Sequence, residues 1–431
     1  MKYHSINPEL FIKNRLKLKK QMVSNSIAIF NSNDIFSTGA DSTLPFEQHR
    51  NIFYLSGVDQ EESILLVFPD AKNELQREIL FVKETNDLIA IWEGAKLSKK
   101  QATASSGIKT VYWLEEFDSV FSKLMKESTH FYYNNNEHYR QAVEMETRED
   151  RFLKMIKSSY PNHKLLPSFP IMESLRGVKE VEEITLIKKA CDITEKGFRR
   201  ILGFVKPGVM EYEIEAEYAH EFLRNRSKGF AYTPIIGSGY NACVLHYIEN
   251  NQECKDGDLL LMDVAAEYAN YSSDMTRTVP VNGRFTARQK AVYQAVLNVK
   301  KEATKLLAPG IMWDAYHVEV GKLMTSELLT LGLIDKADVQ NEDPKWPAYK
   351  KYFMHGTSHH MGLDTHDFGT LKSPMQSNMV FTVEPGIYIP EENMGIRLED
   401  DVVIQTSGYP VNLMQNIPIE IDEIESLMKS N

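Results

Sequence analysis

The sequence predicts two domains, an α/β domain over residues 1–172 and an α+β domain over residues 173–431. The chain has 431 residues. Domains typically contain ~100–200 residues, so a chain of this length is expected to form more than one hydrophobic core. Its hydrophobic content of 42% and charged content of 25% are typical of a globular protein. The prolines Pro161, Pro167 and Pro170 interrupt regular structure, so we place the boundary near residue 172.

The first domain is predicted from short apolar runs that alternate with helical stretches. Residues 7–24 are basic, and their apolar positions are interrupted by charge. This pattern indicates a surface helix with a solvated basic face rather than a secretory signal or a membrane anchor. The helical stretch "EEFDSVFSKLMKES" and several β-rich runs follow, which is the alternation of an α/β layer. The runs are "SIAIF", "NIFYLSG", "SILLVF", "EILFV", "TVYWL" and "HFYYN".

The second domain is predicted from amphipathic helices that end near proline or glycine. The segment "VKEVEEITLIKKACDITEKGFRRIL" places apolar residues three and four positions apart, which is the periodicity of one helix face. The stretches "MEYEIEAEYAHEFLRNR" and "TARQKAVYQAVLNVKKEATKLL" predict two more helices, and β-rich runs between and after them predict strands beneath. The apolar face comprises Val181, Ile184, Ile187, Cys191, Thr194 and Phe198, and the runs are "YTPIIGSG", "DLLLMDVAAEY", "TRTVPV", "VFTVEPGIYI" and "GIRLEDDVVIQ".

The composition disfavours several functional classes. A formal net charge of −11 and a pI of about 5.6 oppose binding to a phosphate backbone, so no nucleic-acid partner is expected. No apolar run approaches the ~20 residues of a membrane span, so no membrane partner is expected. Three cysteines without a CxxC pair predict a reducing compartment, and the cytoplasm is expected. Cys243 lies near His246, but no other feature supports a thiol nucleophile.

Four of the twelve histidines fall within residues 355–367, "HGTSHHMGLDTHD". Imidazole is the commonest metal ligand and exchanges protons near neutral pH, so this cluster predicts a functional site. The spacing between the first two histidines fits one helical turn or two positions on one strand face, which leaves the local structure open. Gly356 and Gly362 favour an irregular or strand-like backbone. The four histidines are His355, His359, His360 and His366.

Four carboxylates lie at or beside the ends of predicted strands in two similar segments. Asp263 ends the run "LLLM" and Asp274 begins a second extended stretch, so the two strands of a hairpin could bring both to one edge. Glu384 follows "VFTV" and Glu399 follows "GIRL" in the same way. Charged groups in such positions are costly to bury unless they are paired or bound to a cation. If the hairpins face each other, two divalent cations ~3.5–4 Å apart could share the bridging carboxylates.

The ligand types indicate which ions suit this site. Several carboxylates with one imidazole suit manganese, cobalt or zinc. A structural calcium site is the alternative, but the chain lacks the compact DxDxDG-type loop on which such sites usually depend. The chain also lacks the sequence HExxH, which sets aside the zincin class of metalloprotease.

These segments closely resemble the metal-site motifs of the Xaa-Pro aminopeptidase family, also called aminopeptidase P. The motifs are "MDVAAEYANYSSDMTRTVPVNGRFT", "HGTSHHMGLDTHD", "TVEPGIYI" and "GIRLEDDVVI", and "RNIFYLSGVDQEESILLVF" extends the resemblance into the first domain. The resemblance implies a pita-bread fold for residues 173–431, as in methionine aminopeptidase, prolidase and creatinase. It also implies a creatinase-like N-terminal domain over residues 1–172, and a homo-oligomer, either a dimer or a tetramer.

The resemblance further implies two divalent cations per subunit, with manganese expected first and cobalt or zinc as alternatives. Asp274, His359, Glu384 and Glu399 would hold one cation, and Asp263, Asp274 and Glu399 would hold the other. A hydroxide bridging the two cations would attack the substrate carbonyl. Glu384 would carry the proton to the leaving nitrogen.

Other residues are implied to handle the peptide. His246, His355 and His366 match active-site imidazoles that contact substrate or stabilise the tetrahedral intermediate. His360 matches no ligand and is interpreted as a residue beside the ligands or at the surface. Proline needs a dedicated pocket, because its nitrogen carries no N–H and stiffens the adjoining chain. That pocket would use His355 with Tyr388, Arg397 and Asp41, with Asp41 as a partner of Arg397 across the domain boundary.

Prolidase is the main alternative activity, since it shares the fold, the metals and the ligands but cuts only dipeptides. Methionine aminopeptidase usually lacks so large an N-terminal domain, and creatinase does without the metals, so both are disfavoured. A non-catalytic peptide-binding module on the same fold would typically have lost ligands, whereas this chain keeps all five. The expected function is removal of the N-terminal residue from peptides with proline in second position.

Overall fold

The computed structural model describes residues 2–141 and 144–429 of the chain. They form two compact units, which divide between Leu175 and Arg176. The sequence analysis placed the division at residue 172, and both positions lie inside one helix. No described helix is both long and apolar enough to cross a membrane.

The first unit is built on a mixed six-stranded sheet with helices. Its strands are β1 (Ser26–Asn31), β2 (Ile64–Val67), β3 (Glu78–Val82), β4 (Thr110–Trp113), β5 (His130–Tyr133) and β6 (Lys164–Pro167). Their order is β4-β3-β2-β1-β5-β6, in which β2 pairs antiparallel with β1 and β3, and the other pairs are parallel. The helices are α1 (Glu9–Gln21), α2 (Arg50–Ser56), α3 (Asp87–Glu93), α4 (Lys99–Ser106), α5 (Phe117–Met125), α6 (Arg148–Ser159) and α7 (Phe169–Gly177). The predicted α/β class is confirmed.

The core of this unit lies between the sheet and the helices α5 and α6. Ile27 and Ile29 project from one face of β1, because alternate residues of a strand point to the same side. Phe117 and Phe121 of α5 pack against that face and stack on each other with ring centroids 5.1 Å apart. Ile156 of α6 completes the contact and is fully buried. This apolar layer joins one face of the sheet to α5 and α6.

The run "NIFYLSG", predicted as a strand, forms helix α2 instead. His49 caps its first turn, since Nδ1 accepts a hydrogen bond from Asn51 N at 3.2 Å. Gly57 ends it in the left-handed conformation, with φ at +67°. Every residue from 51 to 56 is buried, so no polar face reveals the helical period. The prediction was wrong because burial on all sides left only residue propensity, which here favours strands.

Helix α1 lies within the predicted residues 7–24, but its basic face is not fully solvated. Arg15 is fully buried, and its Nη1 donates to Leu55 O at 2.6 Å. Its Nε also donates to Glu78 Oε2 at 2.9 Å, and Lys19 lies 2.6 Å from the other oxygen of that carboxylate. Two of the predicted solvated cations therefore form ion pairs with the sheet.

The second unit has four small antiparallel sheets covered by long helices. The sheets are β11-β8-β7, β12-β15-β16, β13-β14 and β10-β9. The strands are β7 (Ile235–Ser238), β8 (Leu259–Asp263), β9 (Glu267–Tyr268), β10 (Tyr271–Ser272), β11 (Thr276–Pro280), β12 (Val380–Val383), β13 (Gly386–Ile389), β14 (Met394–Arg397), β15 (Asp400–Val403) and β16 (Val411–Asn412). The helices are α8 (Val181–Leu202), α9 (Glu211–Arg224), α10 (Ala287–Leu306), α11 (Trp313–Thr330), α12 (Lys336–Gln340) and α13 (Ile421–Lys429). The predicted α+β class is confirmed.

Helices α8, α9 and α10 were predicted from the sequence, whereas α11, α12 and α13 were not. Helix α11 buries Tyr316, Val320, Met324 and Leu328, which recur every fourth residue on one side. Its exposed side also carries the apolar Val318, which is 58% exposed. Apolar residues on both sides of the helix weaken the helical periodicity of its sequence, so the sequence pattern did not predict it. In the structure the helix packs against α10.

Candidate metal centre

The first predicted pair of carboxylates lies at one end of the β8–β11 hairpin. Strand β8 ends at Asp263, which pairs with Thr276 at the start of β11. Asp274 lies two residues before Thr276 in the chain, and the ribbon β9–β10 forms the connection. Antiparallel pairing therefore brings both aspartates to the same end of the hairpin.

The second pair lies at an interruption of one longer hairpin. The sequence analysis paired the strands "VFTV" and "GIRL", but β12 pairs with β15 and β13 pairs with β14. Glu384 and Pro385 separate the two ladders on one side, and Leu398 and Glu399 separate them on the other. Proline has no N–H to donate to a ladder, which explains why the pairing breaks there. The break places two acidic residues opposite each other.

Three of the predicted ligands converge on one point. Ligand atoms of Asp274, His359 and Glu399 all lie within 4.8 Å of one another, and all three residues are buried. His359 Nε2 lies 3.4 Å from Asp274 Oδ2 and 3.7 Å from Glu384 Oε1. Two hairpins and the histidine segment thus bring four of the five predicted ligands around one imidazole.

The orientation of His359 suits a metal ligand. Its Nδ1 lies 3.0 Å from the carbonyl oxygen of His360, so Nδ1 is assigned as the hydrogen-bond donor. Nε2 then carries the lone pair and faces the carboxylates. Hydrogen bonds of 3.1 Å join His359 N to Thr382 Oγ1 and Thr382 N to His359 O. Strand β12 therefore holds the ligand in place, although the histidine segment itself is irregular.

The centre holds more buried negative charge than nearby cations neutralise. Arg397 is the one arginine or lysine that forms a salt bridge with any of its four carboxylates among the described residues. Burial raises the pKa of Glu384 to about 7, and burial with the neighbouring carboxylates raises the pKa of Glu399 well above its usual range. A divalent cation would compensate this charge, and carboxylate oxygens with one imidazole nitrogen fit manganese, cobalt or zinc. The residues present therefore fit a metal site.

Asp263, the fifth predicted ligand, is held from two sides. Arg397 Nη2 donates to its Oδ2 at 2.6 Å, and Tyr232 OH donates to its Oδ1 at 2.5 Å. Burial, and then the charge of Asp274, raise its pKa, whereas Arg397 opposes the rise. Asp263 therefore faces Asp274 while both of its oxygens have protein donors.

Arg397 connects the acidic centre to Tyr388 and His355. Its Nη1 donates to Tyr388 OH at 2.9 Å, and His355 Nε2 lies 2.8 Å from the same hydroxyl. His355 Nδ1 also lies 3.7 Å from Glu384 Oε2. Burial, reinforced by the charge of Arg397, lowers the pKa of His355 to about 3. The imidazole is therefore neutral here, and three of the four residues predicted for a proline pocket form one hydrogen-bonded chain.

The remaining predicted residues lie in different surroundings. The ring of His366 lies over that of His359 with centroids 3.9 Å apart. His246 is exposed and near enough for its charge to lower the pKa of His355. His360 is buried and stacks on Trp313 at 6.3 Å, so the surface interpretation of this residue was wrong. Asp41 lies in an exposed stretch of the first unit, and its pairing with Arg397 stays a prediction.

The sequence analysis missed several buried groups that hold the ligands. Thr276 Oγ1 donates to Glu399 Oε2 at 2.7 Å and accepts from Arg397 Nε at 3.0 Å. Asp401 Oδ2 accepts from Asp274 N at 3.0 Å. Thr276 lies two residues after Asp274, and Asp401 lies two residues after Glu399, which is the spacing of side chains on one face of a strand. That spacing was the available signal for both.

Comparison with known proteins gives two family matches in the chain. Residues 185–406 match the model described as metallopeptidase family M24, and residues 11–132 match the model described as aminopeptidase P, N-terminal domain. A protein of Haemophilus influenzae named Xaa-Pro aminopeptidase is 33% identical over 97% of both chains. One of Escherichia coli with the same name is 32% identical over 98% of both chains.

Solved structures agree with these matches. The structure of aminopeptidase PepP of Pseudomonas aeruginosa superposes with a TM-score of 0.89 at 29% identity, over 99% of both chains. A zinc-substituted aminopeptidase P of Escherichia coli in complex with product superposes with a TM-score of 0.87 at 30% identity, also over 99% of both chains. The similarity therefore covers both units and nearly the whole length of each protein.

Proposed function

The chain belongs to metallopeptidase family M24, and from that premise we propose that it is an Xaa-Pro aminopeptidase. It would hydrolyse the bond between the N-terminal residue of a peptide and a proline in second position. The observation that carries the proposal is the convergence of Asp274, His359 and Glu399 beside the hydrogen-bonded chain of Arg397, Tyr388 and His355. Near full-length similarity to proteins of that name supports it.

Five residues would hold two divalent cations in the centre. Asp274, His359, Glu384 and Glu399 suit one position, and Asp263, Asp274 and Glu399 suit the other. When bound, such cations activate water near neutral pH and polarise the substrate carbonyl. We expect manganese, with cobalt or zinc as alternatives, because carboxylate oxygens outnumber the single imidazole nitrogen.

Glu384 is the candidate proton shuttle. A carboxylate beside the attacking water can accept a proton and return it. The two oxygens of Glu384 lie 3.7 Å from His359 and 3.7 Å from His355, which places it between the ligands and the predicted peptide-binding imidazoles. Glu384 would take a proton from the attacking water and deliver it to the leaving proline nitrogen.

Imidazole N–H groups would stabilise the charge that develops on the substrate oxygen. His366 lies directly over the ligand His359, and His246 faces His355. A preorganised N–H donor close to a developing oxyanion contributes strongly in a buried site. We therefore assign His246, His355 and His366 to substrate contact and oxyanion stabilisation.

Arg397 and Tyr388 would shape the proline pocket. Both side chains are buried, and Arg397 is fixed by Asp263, Thr276 and Tyr388 at once. A rigid, fully hydrogen-bonded wall suits proline, whose ring is stiff and whose nitrogen offers no hydrogen to recognise.

Prolidase is the alternative on the same scaffold, since the metal ligands alone do not set the peptide length. We also propose a homo-oligomer, either a dimer or a tetramer, located in the cytoplasm and without a nucleic-acid partner. Three free cysteines support a reducing location, and a net charge of −11 opposes binding to a phosphate backbone.

The test is hydrolysis of Ala-Pro-Ala and of Ala-Pro by chelator-stripped protein, before and after addition of manganese, cobalt or zinc. Metal-dependent release of alanine from the tripeptide is expected. Cleavage of the dipeptide alone would assign the chain to prolidase. Absence of cleavage in protein that has bound metal would refute both activities and favour a peptide-binding module.

A pair of aspartate variants controls this experiment. Asp274→Ala removes a buried group of the centre and should abolish cleavage and weaken metal binding. Asp256→Ala removes an exposed aspartate whose Oδ1 accepts a hydrogen bond from Asn282 Nδ2 at 2.6 Å, and it should leave both cleavage and metal binding unchanged. Equal activity of the two variants would show that the proposed centre is not the active site.

A further inference from the structure

A buried network of charged residues lies behind the histidine segment. Asp367 is 4% exposed, and its carboxylate accepts hydrogen bonds from Lys179 Nζ at 2.8 Å and from Arg176 Nη2. Phe368 N also donates to it at 2.8 Å. Lys179 and Arg176 are themselves only 2% and 1% exposed. Three ionised side chains are thus removed from water at one place outside the ligand set.

The backbone of Asp367 connects this network to the ligand His359. Asp367 N donates to the carbonyl oxygen of His360 at 2.9 Å. The same oxygen lies 3.0 Å from His359 Nδ1, which donates to it. The His360 carbonyl oxygen therefore accepts two hydrogen bonds. One comes from the imidazole of His359, and the other comes from the backbone of Asp367, which the ion pairs hold. The position of this carbonyl sets both the tautomer and the direction of the ligand ring.

The loop between these residues is packed too tightly to move independently. A Cβ atom on Gly362 would lie 2.1 Å from Asp367 Oδ2 and 2.8 Å from Lys179 Nζ. The Arg176 guanidinium lies 4.1 Å from the centroid of the Phe368 ring. Asp364 Oδ2 accepts a further hydrogen bond from Arg176 at 2.6 Å. The loop that carries His366 is therefore folded around two cations.

Stability alone is a weak reason for such an arrangement. A buried ion pair usually contributes no more to stability than well-packed apolar residues would, whereas its directional bonds define one geometry. The backbone hydrogen bond from Asp367 N to the His360 carbonyl oxygen gives that geometry a function. His359 must keep one tautomer and one ring direction to act as a ligand.

We propose that Asp367 is a positioning residue that, with Lys179 and Arg176, fixes the His360 carbonyl and thereby orients His359 for metal binding. The inference rests on the proposed function, because it requires His359 to be a metal ligand. Asp367 itself does not touch the metal position. Loss of its charge should therefore weaken metal binding while the five ligands remain intact.

The test is Co²⁺ titration of chelator-treated Asp367→Asn protein, followed by the visible absorption of the bound ion. Asparagine keeps the shape of the side chain but removes the charge that holds Lys179 and Arg176. Metal affinity is expected to fall ~10–100-fold, which is typical when a group that orients a ligand is lost. The absorption spectrum should also change, because the ligand ring is no longer held in one direction.

Two further variants separate positioning from stability. Lys179→Met combined with Asp367→Asn removes one cation together with the anion, and it should restore thermal stability without restoring metal affinity. Glu78→Gln in the first unit is the matched control, because Glu78 also accepts from an arginine, Arg15 at 2.9 Å, and a lysine, Lys19 at 2.6 Å. It should lower stability and leave Co²⁺ affinity unchanged.

The proposal would be overturned if the double variant recovered metal affinity together with stability. It would also be overturned if the Asp367→Asn protein folded and its Co²⁺ affinity lay within about twofold of that of the unsubstituted chain. Hydrolysis of Ala-Pro-Ala by the unsubstituted chain tests the proposed function separately. If that chain binds Co²⁺ but cleaves no Xaa-Pro peptide, the proposed function fails, while the affinity ratio between variants still decides the role of Asp367.

Discussion

Thr276→Val removes a hydroxyl that joins the metal centre to the proposed proline pocket. Thr276 is fully buried, and its Oγ1 bonds Glu399 Oε2 at 2.7 Å and Arg397 Nε at 3.0 Å. Valine has nearly the same shape, so the variant removes both hydrogen bonds without opening a cavity. Each buried group left without its partner costs ~1–3 kcal/mol. The free energy of unfolding of the metal-free second unit should therefore fall by about 2–6 kcal/mol.

Thr278→Val is the matched control on the same strand. Thr278 is also fully buried and lies two positions further along β11. Its hydroxyl bonds only backbone atoms, Arg397 O at 3.2 Å and Arg397 N at 3.3 Å. Long neutral hydrogen bonds contribute less than bonds to charged groups, ~0.5–1.5 kcal/mol each. This variant should lose less stability than Thr276→Val.

The two variants are compared in three measurements. These are urea unfolding of the metal-free proteins, manganese titration calorimetry, and kcat/KM for Ala-Pro-Ala. Thr276→Val should weaken manganese binding and lower kcat/KM, because Glu399 and Arg397 both lose a partner. Thr278→Val should change neither by more than about twofold. If the two variants behave alike in all three measurements, the hydroxyl of Thr276 does not support the centre and the reasoning is refuted.

Three further predictions follow from single contacts. His359→Ala should bind manganese at least ~10-fold more weakly in titration calorimetry, because Nε2 faces the carboxylates; unchanged affinity would remove it from the ligands. Arg397→Lys should lower kcat/KM for Ala-Pro-Ala by ~10–100-fold, because one ammonium cannot serve both Asp263 and Tyr388; full activity would exclude the guanidinium from the pocket. Burial raises the pKa of Glu149 from 4.5 to about 7, so its contribution to the first unit is fully present below pH 4.5 and is lost as pH rises through about 7. Glu149→Gln should flatten that part of the pH profile of urea unfolding, by up to ~3 kcal/mol; a profile unchanged by the substitution would contradict the raised pKa.

Several helix positions followed from the sequence where one face of the element is polar. Helix α8 was predicted from apolar residues three and four apart, and Ile187, Cys191 and Phe198 of that set are buried. The prediction failed at α2, whose residues 51–56 are buried on every side, since without a polar face the strand and helix periods look alike. It also missed α11, which carries the exposed Val318 opposite its buried face.

Candidate ligands of the centre could be recognised in the sequence, because a charged residue directly after apolar strand residues is costly to bury unless it is paired or bound to a cation. Asp263, Glu384 and Glu399 were identified from this placement. Asp274 was identified from the hairpin that it shares with Asp263, and His359 from the family resemblance. The register of the second hairpin was not, because β12 pairs with β15 and the break at Pro385 depends on both strands together. Pairing between distant residues leaves no local periodicity to read.

The sequence by itself determined the candidate cation ligands and the segments that carry them, because residue type and local order are properties of the chain alone. The tertiary structure alone decided how those residues are held. Thr276 bonds Glu399 across 123 positions, and Asp367 bonds Lys179 across 188. Such partners become neighbours only after folding, and their geometry rather than their spacing sets the pKa of Glu384 and the direction of His359.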